Sequence, residues 1–234
     1  MTTLLINTIY KATEGEGIHV GIPQIFVRFQ GCSVGCVNCD SKETWVFDPS
    51  FSRDLDSVVA EVEKISDGKI KRVSITGGDP LHPGHVPGVL ALIKELKARK
   101  YFINIEAAGT RIVDEIFDLV DFISYDYKTP STGVRTSKDL LLKLVEQYGH
   151  KAQIKSVIAH HKDFEATYEV YYQTQSKLDK VPGTWVLTPC YESSELFPMK
   201  RFQQILRLNE EFGAPFRVIG QQHKWVYGAD QKSV

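Results

Sequence analysis

Apolar runs rich in β-formers alternate with amphipathic stretches along most of this chain, and that alternation restricts its fold more than any other feature. The runs QIFVRF (24–29), RVSIT (72–76), YFINIE (101–106), DFISYD (121–126), AQIKSVIA (152–159), TWVLTP (184–189) and FRVIG (216–220) predict strands. Residues 54–65, 86–100, 138–149 and 199–213 carry helical periodicity between them. In the first of these, Leu55, Val58, Val59, Val62 and Ile65 fall on one helical face. Strand–helix–strand units with right-handed crossovers give an α/β fold with a mainly parallel sheet. Periodicity leaves open whether that sheet is flat and doubly wound or curved into a barrel. No low-complexity linker or internal repeat divides the 234 residues, so a single domain over 1–234 is expected.

Charge and composition then exclude partner classes. The net charge of −1 lacks the basic excess of a nucleic-acid binder, so no nucleic-acid partner is expected. No run of about 18 apolar residues is present, which argues against a membrane span. The segment MTTLLINTIYKATEGEG lacks a basic region followed by a long apolar stretch, so a cytoplasmic protein is expected. In a reducing compartment, clustered cysteines serve as metal ligands or redox centres more often than as disulfides.

The unusual polar residues sit just after the strands. Cys32 follows the first, TGGDP the second, Glu106 ends the third and YDYK follows the fourth. Active sites of β/α folds form at the carboxyl ends of parallel strands, so the chemistry is expected on one rim. Three of the four cysteines, Cys32, Cys36 and Cys39, stand at C-x3-C-x2-C spacing. A structural zinc site would want a fourth ligand, with Cys190 and His19 as candidates. A 4Fe–4S cluster on three thiolates instead leaves one iron free to bind a small molecule. Cys190 reads as a small buried residue at a strand end, and it is given no role. His82 and His85 read as capping or surface residues, and His160 and His161 as part of a polar loop.

C-x3-C-x2-C followed by TGGDP resembles the radical S-adenosylmethionine (SAM) enzymes, whose second motif is usually GGEP. That resemblance implies a partial (β/α) barrel and a 4Fe–4S cluster whose open iron is chelated by SAM. One electron from the reduced cluster then cleaves SAM to a 5′-deoxyadenosyl radical. The flanks narrow the match. EGEGIHVGIPQIFVRFQGCSVGCVNCDS, TGGDPL, EAAGT (106–110) and QQHKW (221–225) resemble the 7-carboxy-7-deazaguanine synthases, over nearly the whole chain. The implied reaction is ring contraction of 6-carboxy-5,6,7,8-tetrahydropterin with release of ammonia, a step toward queuosine and other 7-deazapurines. Two positions depart from the family pattern: Glu14 replaces a Gln and Asp79 replaces a Glu.

The resemblance implies roles residue by residue. Cys32, Cys36 and Cys39 would ligate three irons. Asn38, Cys39, Asp40, Gly77, Gly78, Glu106, Ser124, Asp126 and Lys128 would bind SAM. Thr13, Glu14, Gly15, Arg28, Thr76 and His223 would line the pterin, and Ser41 would help to bind Mg2+. A homodimer and a one-electron donor such as a flavodoxin are implied as partners. Arg28 stands out without any resemblance, because an unpaired charge inside the apolar strand IFVRF is costly. An anionic ligand or an internal ion pair would offset that cost, and the resemblance favours a substrate carboxylate.

Two rival readings use the same cysteines. A glycyl-radical activating enzyme would also carry C-x3-C-x2-C but would need a protein partner and consume SAM. A zinc-stabilised binding protein would lack catalysis and would be colourless. Replacing Cys36 by Ala should abolish the cluster, because two thiolates cannot retain it. Loss of iron and of the visible absorption after anaerobic purification checks this, and a normal iron content would contradict it.

Overall fold

The computed structural model describes residues 2–175, 184–192 and 194–234. In chain order its elements are β1 (Thr3–Thr13), β2 (Pro23–Phe29), β3 (Ser52–Asp54), α1 (Leu55–Ser66), β4 (Arg72–Thr76), α2 (Val86–Ala98), β5 (Phe102–Ala107) and α3 (Asp114–Leu119). These are followed by β6 (Phe122–Asp126), α4 (Lys138–Tyr148), β7 (Ala152–Ile158), α5 (His161–Gln175), β8 (Thr184–Pro189), α6 (Met199–Glu211), β9 (Arg217–Val218) and α7 (Gln222–Tyr227). The described strands form one sheet in the order β3-β1-β2-β4-β5-β6-β7-β8-β9. From β2 to β9 every neighbouring pair is parallel. β1 runs antiparallel to both β2 and β3. The sheet is mainly parallel and not closed, which resolves the choice left by periodicity toward a partial barrel.

Parallel strands covered on both faces are apolar without strict alternation. Val73, Ser74 and Ile75 of β4 are all 0 % exposed, and Ile103 and Ile105 repeat the pattern in β5. Helix α1 starts where Asp54 caps it, its carboxylate accepting from Ser57 N at 2.8 Å. It stops at Asp67, which adopts the left-handed conformation. Between these ends Val58, Val59 and Val62 are buried, with Leu55 and Ile65 packed against the core, as their spacing predicts.

Among the described residues, five elements fall outside the expected pattern: the short β3, α3 and α7, and the longer β1 and α5. β1 buries Leu4, Ile6 and Ile9, but its pairing with β2 slips between Ile6 and Thr8. That irregularity breaks the period of two by which a strand is recognised. α5 begins at His161 rather than continuing a polar loop, and its TYEVYYQT run is composed largely of β-formers. Tertiary packing overrides that propensity. Phe164 is 0 % exposed and meets Phe212 and Phe216 edge-on, while the Thr167 and Thr174 hydroxyls donate to carbonyls one turn back.

The open side of the barrel is bridged by the segment that leaves β1. Ile18 N donates to Gln153 Oε1 on β7 at 2.9 Å, and Gln153 Nε2 donates to Ser124 Oγ on β6 at 2.8 Å. Gln222 N at the start of α7 donates to Gly15 O at 2.8 Å. A second tie holds the loop after β6. Asp163 is 1 % exposed and accepts from Ser131 N, Ser131 Oγ, Ala159 N and His160 N, all within 2.7–3.0 Å. Asp163→Ala leaves those donors without their acceptor, and should cost about 3 kcal/mol in urea denaturation. A loss below about 0.5 kcal/mol would show that water replaces the carboxylate freely.

Candidate active site

The residues to which chemistry was attributed converge on one cavity of about 370 Å3. All of them line it except Ser124. Ser124 lies inside β6 rather than at a strand end, is 1 % exposed, and has its hydroxyl occupied by Gln153. The cavity is also deeper than one rim. Thr13 and Glu14 lie beside Pro23 and Gln24, at the amino end of β2, because β1 runs against the parallel strands. The space therefore extends from Cys32 and Gly78 at the carboxyl rim down the inner face of the sheet.

At the rim, two loops are stapled together by backbone. Gly31 N donates to Thr44 O at 2.7 Å, Asp79 N donates to Gly31 O at 2.9 Å, and Gly78 N donates to Thr44 Oγ1 at 3.1 Å. Gly77 and Gly78 have φ of 74° and 47°, the left-handed region that glycine tolerates. A side chain at Gly78 would place its Cβ 2.4 Å from Gly31 O. The Asp79 carboxylate is turned away from the cavity, 0 % exposed, accepting from Leu81 N and facing Arg111 at 3.6 Å. His85, expected as a cap or surface residue, stands at the N-cap position of α2 without a side-chain capping bond, and is buried with Nδ1 2.8 Å from Asp79 O. The chain compacts there so tightly that the ring fills the space behind the turn.

The three thiols suit an iron–sulfur cluster. Cys32, Cys36 and Cys39 are partly exposed, unpaired with one another, and share one wall of the cavity. The Val34 and Ser41 amides and the Trp45 indole N–H point at the sulfurs of Cys32 and Cys39, each at 3.4 Å. Such donors stabilise ligating thiolates. Burial pushes the Cys36 thiol up, and the Lys128 ammonium opposes that rise. His19 is engaged elsewhere, 2.6 Å from Arg72 and edge-on to Phe122. Cys190, expected as buried packing, instead lines the cavity at the end of β8.

Arg28 has no acidic partner within 4 Å among the described residues. Its guanidinium donates to Tyr10 Oη at 2.9 Å and Ser41 Oγ at 3.3 Å. Ser41 in turn donates to Asp40 at 3.1 Å. Deeper in the cavity, Lys155 Nζ lies 2.8 Å from Glu16, 3.5 Å from Glu106 and 3.8 Å from Asp126. Lys128 takes Asp126 at 2.6 Å. Burial disfavours the Lys155 charge, but those three carboxylates hold its pKa well above the usual value. Burial likewise opposes ionisation of Glu16, yet the Lys155 ammonium and the hydrogen bond from Gln221 hold its carboxyl well below the usual range. Glu14 goes the other way: burial and the neighbouring Glu106 raise it to about 7. Burial pushes His223 down, toward the neutral imidazole, where it packs against Gly15. Tyr10, Glu16, Thr44 and Lys155 were not among the expected site residues. For Lys155 a signal existed, since it is a charge inside the apolar run AQIKSVIA.

Comparison with known proteins agrees with this geometry. Residues 26–168 match the radical SAM superfamily. A 7-carboxy-7-deazaguanine synthase of Koribacter versatilis is 30 % identical over 80 % of this chain and 77 % of its own length. One from Leptospira interrogans is 27 % identical over 98 % of this chain and 97 % of its own. The match to the Aquifex aeolicus relative, at 33 % identity, spans 49 % of each chain, about half the length of that protein. QueE from Escherichia coli shares the fold, with a TM-score of 0.72, 23 % identity, and coverage of 95 % of this chain and 96 % of that one.

Gly78→Ala should drive the Cys32 loop away from the TGGD turn. The left-handed backbone alone costs about 1–2 kcal/mol in a residue with a Cβ. Lower iron content per chain and a lower melting temperature are expected, and unchanged values for both would show that the staple can give.

Proposed function

This chain belongs to the radical SAM superfamily and, within it, to the 7-carboxy-7-deazaguanine synthases; from that premise we propose how its own residues contract the ring of 6-carboxy-5,6,7,8-tetrahydropterin and release ammonia. The observation that carries the reading is Arg28. It is half-buried, without a carboxylate partner among the described residues, and it stands beside Ser41 in the cavity that the three cysteines share. A planar guanidinium oriented by Tyr10 and Ser41 suits a substrate carboxylate.

Cys32, Cys36 and Cys39 would hold a 4Fe–4S cluster and leave one iron for SAM, whose approach Gly77 and Gly78 permit by lacking side chains. When bound there, the cluster supplies the single electron that cleaves SAM and so opens hydrogen abstraction from the substrate. Asn38, Asp40, Glu106, Asp126 and Lys128 line the space open to SAM. The Ser41 hydroxyl, next to Arg28, would contribute one oxygen to a Mg2+ that the substrate carboxylate and water complete. Thr13, Glu14, Gly15 and His223 enclose the far end, and Thr76 stands beside Arg28 nearer the rim; between them the pterin would lie. Their part is to position the heterocycle and keep water from it.

Residues 1–234 act in this reading as one radical SAM domain. A one-electron donor such as a flavodoxin, a homodimer and a cytoplasmic setting belong to the same reading. Four free cysteines are consistent with the last, and no described helix is long and apolar enough to cross a membrane.

The test is an anaerobic reaction with reductant, SAM and pterin deuterated at carbon 6. Product of the mass of 7-carboxy-7-deazaguanine is expected, with deuterium appearing in recovered SAM after many turnovers. One 5′-deoxyadenosine per product, with unlabelled SAM, would contradict a catalytic role for SAM and favour the activating-enzyme alternative.

A further inference from the structure

Among the described residues, Glu14 is the acid of the inner cavity with no cation within 4 Å. It is 8 % exposed, and its two oxygens are not equivalent. Gln24 Nε2 donates to Oε2 at 2.5 Å. Arg72 Nε donates to Gln24 Oε1 at 3.1 Å, so that amide cannot turn over without losing its partner. Oε2 is thereby fixed as an acceptor. Oε1 receives only Glu16 N at 3.3 Å, a long contact. If one oxygen carries a proton, it is Oε1.

The groups facing Glu14 favour that proton. Glu16 on its own loop and Glu106 from β5 both draw on Lys155 from β7. Asp126 from β6 is served by Lys128 and, at 3.8 Å, by Lys155 again. Arg72 from β4 is bridged to Glu14 by Gln24 and feels its charge, and Lys155 also draws Glu14 down, but burial and Glu106 outweigh that pull. His223 from α7 is pushed toward neutrality by burial. Four carboxyl groups thus share two ammonium groups and one guanidinium at a remove. Like charges in so small a space cannot all ionise cheaply.

We propose that Glu14 works as a neutral carboxylic acid, holding its proton on Oε1 and donating a hydrogen bond to a carbonyl or ring-nitrogen acceptor of the bound heterocycle. It is then a specificity-determining residue: an acceptor on the ligand is satisfied there, and a donor at the same position is refused. The proposal rests on the pterin reading of the cavity given above. The rise of Glu14 to about 7 supports it. The sign follows from linkage. A carboxyl raised from 4.5 to about 7 by folding costs nothing below pH 4.5. Its burden on stability grows as pH rises between those values and is complete above the higher one.

The test uses the holoenzyme and Glu14→Gln, which keeps an acceptor and a donor but cannot titrate. Infrared difference spectra across pH 5 to 9 should show a protonated-carboxyl band in the parent that is lost near neutral pH and is missing from Glu14→Gln. The melting temperature of the variant should match the parent at pH 5 and exceed it at pH 8. Anaerobic calorimetry with the tetrahydropterin should give parent affinity falling roughly tenfold per pH unit above the titration, as for one linked proton. Variant affinity should stay flat and close to the parent's value at pH 6. Absence of the infrared band overturns the neutral Glu14, whatever the cavity binds. A folded variant that binds far more weakly than the parent at pH 6 overturns the donated hydrogen bond. If neither protein binds the pterin while the band is present, the substrate reading falls, and the hydrogen bond with it.

Discussion

Lys155 Nζ is an ammonium group taken almost wholly out of water, with carboxylates of Glu16, Glu106 and Asp126 between 2.8 and 3.8 Å away. Burying such an ion costs several kcal/mol unless partners surround it. Here the partners come from three separate places: the loop after β1, the strand β5 and the strand β6. Glu16 depends on the lysine for its charge, Asp126 has Lys128 as well, and the lysine could not stay charged without these acids. The mutual need helps to fix the spacing of strands that also meet through backbone ladders and through side-chain bonds such as Gln153 to Ser124 and Asn104 to Ser74. It concentrates charge in the inner cavity.

The upper end depends on a different kind of bond. Thr44 contributes both its carbonyl and its hydroxyl, one to Gly31 and one to Gly78. Backbone groups, rather than charges, therefore set the distance between the cysteine loop and the glycine turn. The rim carries charge too, since Lys128 and Asp126 act on Cys36, but the spacing of its two loops is set by neutral bonds. The inner end is held instead by the ion pairs of Lys155.

Much of this was legible in the residues. The cysteine spacing, the glycine pair after β4 and the charge inside IFVRF each announce a local physical problem that a ligand or a neighbour must solve. The strands and helices expected between residues 54 and 158 follow their periodicity to within a residue or two, because each has one face to bury, while the six-residue α3 is too short to show one. What could not be read depends on distance along the chain. β1 hides behind its register slip, α5 behind its tyrosines, and Ser124 looks like a site residue until Gln153, 29 positions later, takes its hydroxyl. The Lys155 cluster was half visible, since a lysine between Ile154 and Ser156 carries the same mark as Arg28. Which acids would answer it was not, because Glu16 lies 139 residues away.

The tie between Gln222 N and Gly15 O joins two segments separated by most of the chain. On a ribosome, the three cysteines and the glycine turn emerge long before residues 221–223. The ties from Ile18 to Gln153 and from Glu16 to Lys155 need nothing beyond β7, so the segment after β1 can cross the open side before α7 exists. The Gln222 bond then adds a late wall to a cavity whose cysteine and strand walls precede it in the chain.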